Sequence, residues 1–188
     1  MSVKKIVLAS NSPRRKELMT MAGLDFVVDS KNVDEAHPRD TPIDLIPAFL
    51  ARKKARAFID DISDHVIVIG ADTVVVLDGK IYEKPVDRQD AVNMLQELSG
   101  RMHEVITGVC IISNSKEVVF SETTKVYFNT LTTEEIEYYV DNFKPFDKAG
   151  SYACQEWIGA VGIKKFEGDY FNVVGMPINR VYHELKSF

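Results

Sequence analysis

Apolar residues fall into two spacings along this chain. Short unbroken or alternating runs at residues 4–9, 26–29, 66–69, 74–77, 105–113 and 117–129 read as strands. Between them apolar residues recur every three or four positions. One helix opens at Ser12-Pro13, carries Leu18, Met19 and Ala22, and stops at Gly23; Ser12 suits its N-cap and Pro13 its first position. Another starts at Thr41-Pro42 and carries Leu45, Ile46, Phe49, Leu50, Ala57 and Phe58, with Pro47 kinking or restarting it. A third spans 86–100, with Asp87 as cap and Ala91, Met94, Leu95 and Leu98 as its buried stripe. Thr132 and Glu135 form a capping box before Ile136, Tyr139, Val140 and Phe143. Residues 159–166 and 170–174 read as a final hairpin turning at Glu167-Gly168-Asp169, and Pro177 opens a closing helix through Leu185. Strands and helices interleave, so the class is α/β. The long strand pairs favour a mixed sheet with flanking helices over a purely parallel one.

One residue breaks the pattern. Asp72 stands between the runs 66–69 and 74–77, which read as strand buried on both faces. A carboxylate there costs several kcal/mol unless a metal, a cation or donated hydrogen bonds compensate it. Gly70 and Ala71 carry almost no side chain, which leaves room for a ligand to approach. Asp78-Gly79 is a strong hairpin signal, so the strand folds back through Lys80 and returns the chain to Lys84.

Other segments offer charge of the opposite sign. Arg14 and Arg15 sit in the first turn of the helix after Ser10, where they oppose the helix dipole unless an anion binds. Lys54 belongs to a basic run on the second helix; most of that run is a solvated face, and one member is available to an anion. Lys148 lies in the loop FDKAGSYACQ beside small residues. The adjacent pair Asp34-Glu35 is either solvated surface or a source of oxygen ligands for a metal. A polyphosphate held near Asp72 would be repelled, by about 4 kcal/mol for two unit charges 4 Å apart at an effective dielectric of 20. A divalent, Mg²⁺-like cation between them resolves the conflict, and its effect on bound water points to hydrolysis.

Composition narrows the classes. In 188 residues there are 23 basic and 28 acidic side chains, a net charge of −5, so a general nucleic-acid binder is disfavoured. No apolar run approaches the ~18 residues of a membrane span, and no signal-peptide pattern opens the chain; a cytoplasmic protein is expected. Cys110 and Cys154 lack metal-ligand spacing and are expected as reduced, Cys110 in the core. The four histidines form no ligand pair.

In order, LASNSPRRKEL, the Asp34-Glu35 pair, ARKKA, GADTVVVLDGKIYEKP, LSGRMHEVITGV, EEIEYYV, FDKAGSYACQ and EGDYFNVVGMP resemble the Maf family of nucleoside triphosphate pyrophosphatases. The resemblance runs from about Ile6 to Pro177. It implies a single Maf-like domain over 1–188, with the elongated sheet and two lobes around a central cleft of the Maf/inosine triphosphatase-like architecture. It also implies a homodimer and divalent-metal-dependent (Mg or Mn) conversion of a nucleoside triphosphate to the monophosphate and pyrophosphate. By the same resemblance Asp72 is the proton acceptor, with Glu35 beside the metal. Ser10, Lys54, Lys84 and Lys148 hold phosphates, and Arg14, Thr73 and Gln155 match the substrate-specificity positions of the dTTP/UTP branch. Where relatives often read Gly-Ala-Tyr-Gly-Ile-Gln-Gly, this chain has Gly150-Ser151-Tyr152-Ala153-Cys154-Gln155-Glu156, and Glu83 stands where many have glycine. The alternatives are a non-catalytic nucleotide-binding regulator of septum formation, or a pyrophosphatase of the 7-methyl-GTP or UTP/CTP branch.

Overall fold

A computed structural model of the protein describes residues 4–188; the part of the leader reading that rests on residues 1–3 lies outside them. Seven strands form one mixed sheet in the order β2-β1-β3-β5-β6-β7, with β4 paired to β3. The strands are β1 (Lys5–Leu8), β2 (Phe26–Val28), β3 (Val66–Leu77), β4 (Lys80–Tyr82), β5 (Met102–Ile112), β6 (Glu117–Phe128) and β7 (Ile163–Glu167). The helices are α1 (Pro13–Met21), α2 (Ile46–Arg56), α3 (Arg88–Leu98), α4 (Thr133–Phe143), α5 (Trp157–Gly162), α6 (Tyr170–Val174) and α7 (Ile178–Leu185). β1 is parallel to β2 and β3, while β4 and β7 are antiparallel to β3 and β6.

The chain divides into two compact units. The first comprises the chain through Thr73, Thr107–Glu122 and Gly175–Phe188; the second comprises Val74–Ile106 and Thr123–Val174.

In the first unit, Val7, Ala9, Val68, Cys110 and Ile112 from the strands pack with Ala51, Ala55 and Phe58. α2 lies so close to the sheet that only glycine fits beneath it. A Cβ on Gly70 would stand 2.3 Å from the Ala51 carbonyl oxygen, and one on Gly108 would stand 2.1 Å from the Ala48 nitrogen. Gly70, two positions before Asp72, is therefore required by helix packing. Pro47 restarts the helix: a 3-10 turn over Ile43–Leu45 precedes α2, which carries this proline in its first turn.

In the second unit, α3 packs on α4. Asp87 caps α3 by accepting from the Asp90 amide at 2.8 Å. Thr132 and Glu135 close the expected capping box at α4. Asp78 and Gly79 both take positive φ, 50° and 76°, as a tight hairpin turn with matching twist demands. Both cysteines are reduced and buried. His103 is buried with its Nε2 2.7 Å from the Tyr152 hydroxyl, and Phe128 packs edge-on against both rings.

The final hairpin is not formed. α5 takes the start of the expected strand, because Gly159 lets its first turn close over the Cys154 carbonyl; a Cβ there would stand 1.7 Å from that oxygen. Only Ile163–Glu167 is strand, and it pairs with β6. Asp169 accepts from the Phe171 amide at 2.8 Å and so starts α6 where a strand was expected.

Candidate active site

The first-unit site grows from β3. This strand pairs with β1 from Val66 to Ile69 and with β4 from Val75 to Leu77, so Asp72 lies on the stretch between the two partners. Backbone groups on such a stretch need other partners. Arg15 supplies one. From the first turn of α1 its guanidinium donates to the Ala71 carbonyl at 2.9 Å, the Gly175 carbonyl at 2.9 Å, Ser10 Oγ at 3.1 Å and Thr73 Oγ1 at 3.1 Å. Burial lowers its pKa, opposed by the negative charges of Asp72 and Glu35 and reinforced by Arg14. Arg15, grouped by sequence with the phosphate-binding residues, thus spends its donors on four acceptors in three segments, two of them on β3. Thr73 Oγ1 also lies 2.9 Å from Thr107 Oγ1.

Asp72 is compensated by Lys54. The Lys54 ammonium donates to Asp72 Oδ1 at 2.6 Å and lies 2.7 Å from Glu35 Oε1. The Lys54 and Asp72 side chains are 19% and 14% exposed and Glu35 62%, so the trio opens outward through Glu35. Neighbours on α2 hold this arrangement. Lys53 donates to the Ala36 carbonyl at 3.2 Å and reaches Asp34 Oδ2 at 3.5 Å, while Asp34 Oδ1 accepts from the Ala36 amide at 2.9 Å. That closed turn presents Glu35 to Lys54. Arg52 and Arg56 bind Glu117 on β6 and anchor the opposite flank of the helix. The basic run is therefore mostly committed to named carboxylates.

At the mouth of α1, Ser12 holds the N-cap position but its side chain makes no cap bond. Its amide donates instead to the Ser10 hydroxyl at 3.3 Å. Ser10 is buried and Arg14 half-buried, both within the first unit.

Lys84, Lys148 and Gln155 belong to the second unit. Lys84 and Gln155 are exposed. Lys148 is buried, its Nζ 2.8 Å from Asp147 Oδ1 and 3.4 Å from Glu156 Oε1. Gly150 takes φ 67° and its amide donates to the Glu83 carbonyl at 3.1 Å, so its small size serves a turn against Val75. Glu83 is exposed. The sequence missed Tyr139 and Glu156 as polar partners: Tyr139 was legible only as an apolar helix position, and Glu156 only as a lost glycine.

Among the described residues, no group of three or more His, Cys, Asp or Glu side chains is placed to hold a metal. Two carboxylates do converge on one cationic atom, however. That donor set suits a hard cation whose remaining ligands are water and substrate phosphates, the usual arrangement for Mg²⁺.

The protein is thus of the mixed α/β class, with a seven-stranded sheet whose third strand bears a carboxylate bound by a lysine. Within that class, a family model described as Maf-like protein matches residues 5–188, and the chain belongs to the Maf family. A Bacteroides fragilis protein named dTTP/UTP pyrophosphatase is 52% identical over 184 residues, covering 97% of this chain and 95% of its own. A Christiangramia forsetii protein of the same name is 48% identical over 183 residues, covering 97% and 93%. The solved structure of the Staphylococcus aureus Ham1 protein superposes with a TM-score of 0.57 at 18% identity, covering 98% of this chain and 99% of that one, and shares the fold. No helix among the described residues is long and apolar enough to cross a membrane.

Proposed function

We propose that this protein hydrolyses pyrimidine nucleoside triphosphates, dTTP and UTP foremost, to the nucleoside monophosphate and pyrophosphate. The observation that carries this is the convergence of Asp72 and Glu35 on the Lys54 ammonium, at 2.6 and 2.7 Å. Relatives 46 to 52% identical that bear the name dTTP/UTP pyrophosphatase support it.

Asp72, with Glu35 assisting, would hold a divalent cation, Mg or Mn. Bound there, such an ion shields phosphate charge and makes a nearby water more acidic. Lys54 fixes Asp72 through Oδ1, so Oδ2 is the atom assigned to accept the proton of the water that attacks the α-phosphorus. The new phosphorus–oxygen bond forms as the bond to the bridging oxygen breaks, and that oxygen leaves with pyrophosphate. In the first unit Arg14 and Lys54 neutralise phosphate charge while the Ser10 hydroxyl hydrogen-bonds a phosphate oxygen, and in the second Lys84 and Lys148 neutralise charge; this is the electrostatic share of catalysis. Thr73 and Gln155 read the pyrimidine or position the sugar. The same reading makes the protein a single Maf-like domain, a homodimer and a cytoplasmic enzyme, where nucleoside triphosphates are found.

The test is a panel of canonical and modified triphosphates incubated with the purified protein and Mg²⁺ or Mn²⁺, with pyrophosphate and monophosphate both measured. The expected result is preferred turnover of dTTP and UTP, abolished by chelation. Tight triphosphate binding with no pyrophosphate release would instead favour a non-catalytic regulator, and purine preference would overturn the base assignment.

A further inference from the structure

We propose that Glu156 is a positioning residue that ties the Gln155 turn to Tyr139 and so sets preference for a pyrimidine triphosphate, while its charge separately holds Lys148; this rests on the reading above.

Glu156 follows the exposed Gln155 and occupies the N-cap of α5 with extended backbone, φ −95° and ψ −177°. An acidic side chain in that place ordinarily turns back to cap its own helix. This one makes no cap bond. Its Oε2 accepts from the Tyr139 hydroxyl, and its Oε1 lies 3.4 Å from Lys148 Nζ. A carboxylate diverted from its own helix onto a buried phenol and a buried lysine is doing a job elsewhere.

Tyr139 explains the job. The ring is fully buried on α4. Burial, and next the bond and charge of Glu156, hold its pKa far above the usual phenol value, so the hydroxyl remains a donor. The same oxygen accepts from the Ala153 amide at 3.1 Å. The Glu156 amide in turn donates to the Ala153 carbonyl at 3.1 Å, closing a turn whose inner residues are Cys154 and Gln155. Both ends of that turn are thus tied to one phenol. Glu156 extends the tie to Lys148, whose ammonium also lies 2.8 Å from Asp147 Oδ1. One carboxylate therefore aligns a phosphate-binding candidate and a base-reading candidate from two different loops.

The two links separate chemically. Glu156→Gln keeps an oxygen acceptor for Tyr139 but removes the charge facing Lys148. Glu156→Ala removes both, and Tyr139→Phe removes the phenol oxygen while keeping the ring. Steady-state kcat and KM for dTTP and dATP, with thermal midpoints, read all three variants against wild type. In Glu156→Ala and Tyr139→Phe the ratio of kcat/KM for dTTP over dATP is expected to fall by about five- to tenfold. In Glu156→Gln the ratio is expected to stay within about twofold of wild type, with KM for both substrates moving by a common factor. A merely structural role would lower the active fraction, and hence kcat, equally for both substrates. If Glu156→Ala fails to fold, Tyr139→Phe decides. An unchanged ratio in the folded variant overturns the inference, as does a Gln variant that behaves like the Ala variant. Failure of the wild-type protein to release pyrophosphate would instead overturn the functional reading beneath it.

Discussion

At the scale of single residues, the account turns on how a carboxylate is tolerated in apolar strand. Asp72 was legible because its neighbours in sequence are β-branched and its charge demanded compensation. The compensating partner was not, because Lys54 lies eighteen positions away in a run of several cations and only the course of α2 selects one of them. Arg15 was opaque for a similar reason: nothing local to its turn shows that its guanidinium reaches Ala71 and Thr73, on the edge of β3 left open between β1 and β4. Removing the cation should leave Asp72 poorly solvated. Lys54→Met is expected to cost about 1–3 kcal/mol in urea unfolding and to lower dTTP turnover by at least about a hundredfold. Unchanged stability together with unchanged turnover would show that this ion pair does not hold Asp72.

At the scale of elements, caps and turns were the most legible features and irregular close approaches the least. Asp87, the Thr132–Glu135 box and Asp78-Gly79 act through bonds between residues a few positions apart, so local sequence specifies them. The last strand pair was misread because Asp169 resembles a turn residue and serves as a helix start, while Gly159 resembles strand punctuation and serves a close contact. Glycines beneath α2 carry the same lesson. Gly70→Ala would press a methyl into the Ala51 carbonyl, displacing the helix that carries Lys54; a loss of at least about 2 kcal/mol is expected, together with loss of activity. Thr132→Ala makes a control. It removes one cap bond and should cost about 1 kcal/mol, leaving kcat and KM for dTTP unchanged. Urea unfolding and steady-state kinetics on the two variants check both outcomes.

Across the whole molecule, a net charge of −5 is combined with local clusters of committed cations, and stability inherits a pH dependence from groups that include His103 and Glu117. Burial lowers the His103 pKa from 6.5 to about 3. Between those values the unfolded chain binds the extra proton, so stability is intact above pH 6.5 and falls as pH drops, by about 1.4 kcal/mol per unit at full slope. Bonds from Arg56 and Arg52 lower Glu117 from 4.5 to about 2, which adds a further loss below pH 4.5. His103→Phe preserves ring packing against Phe128 and Tyr152 and removes the first contribution. Its thermal midpoint should vary less than wild type between pH 6.5 and 4.5, and an equal slope would contradict the assignment. Fold class was legible at this scale, since interleaved strand and helix patterns require a covered sheet. The pairing of β7 with β6 was not, since edge partners depend on contacts far apart in sequence.

The most direct measurement is pyrophosphate release from dTTP by Asp72→Asn beside wild type, with Mg²⁺ or Mn²⁺ present and thermal midpoints recorded for both. The amide keeps the shape and an oxygen for Lys54 but cannot serve as the proton acceptor, so turnover is expected to fall by at least about a thousandfold in a folded protein. Turnover by the variant within about tenfold of wild type would contradict the central role given to Asp72.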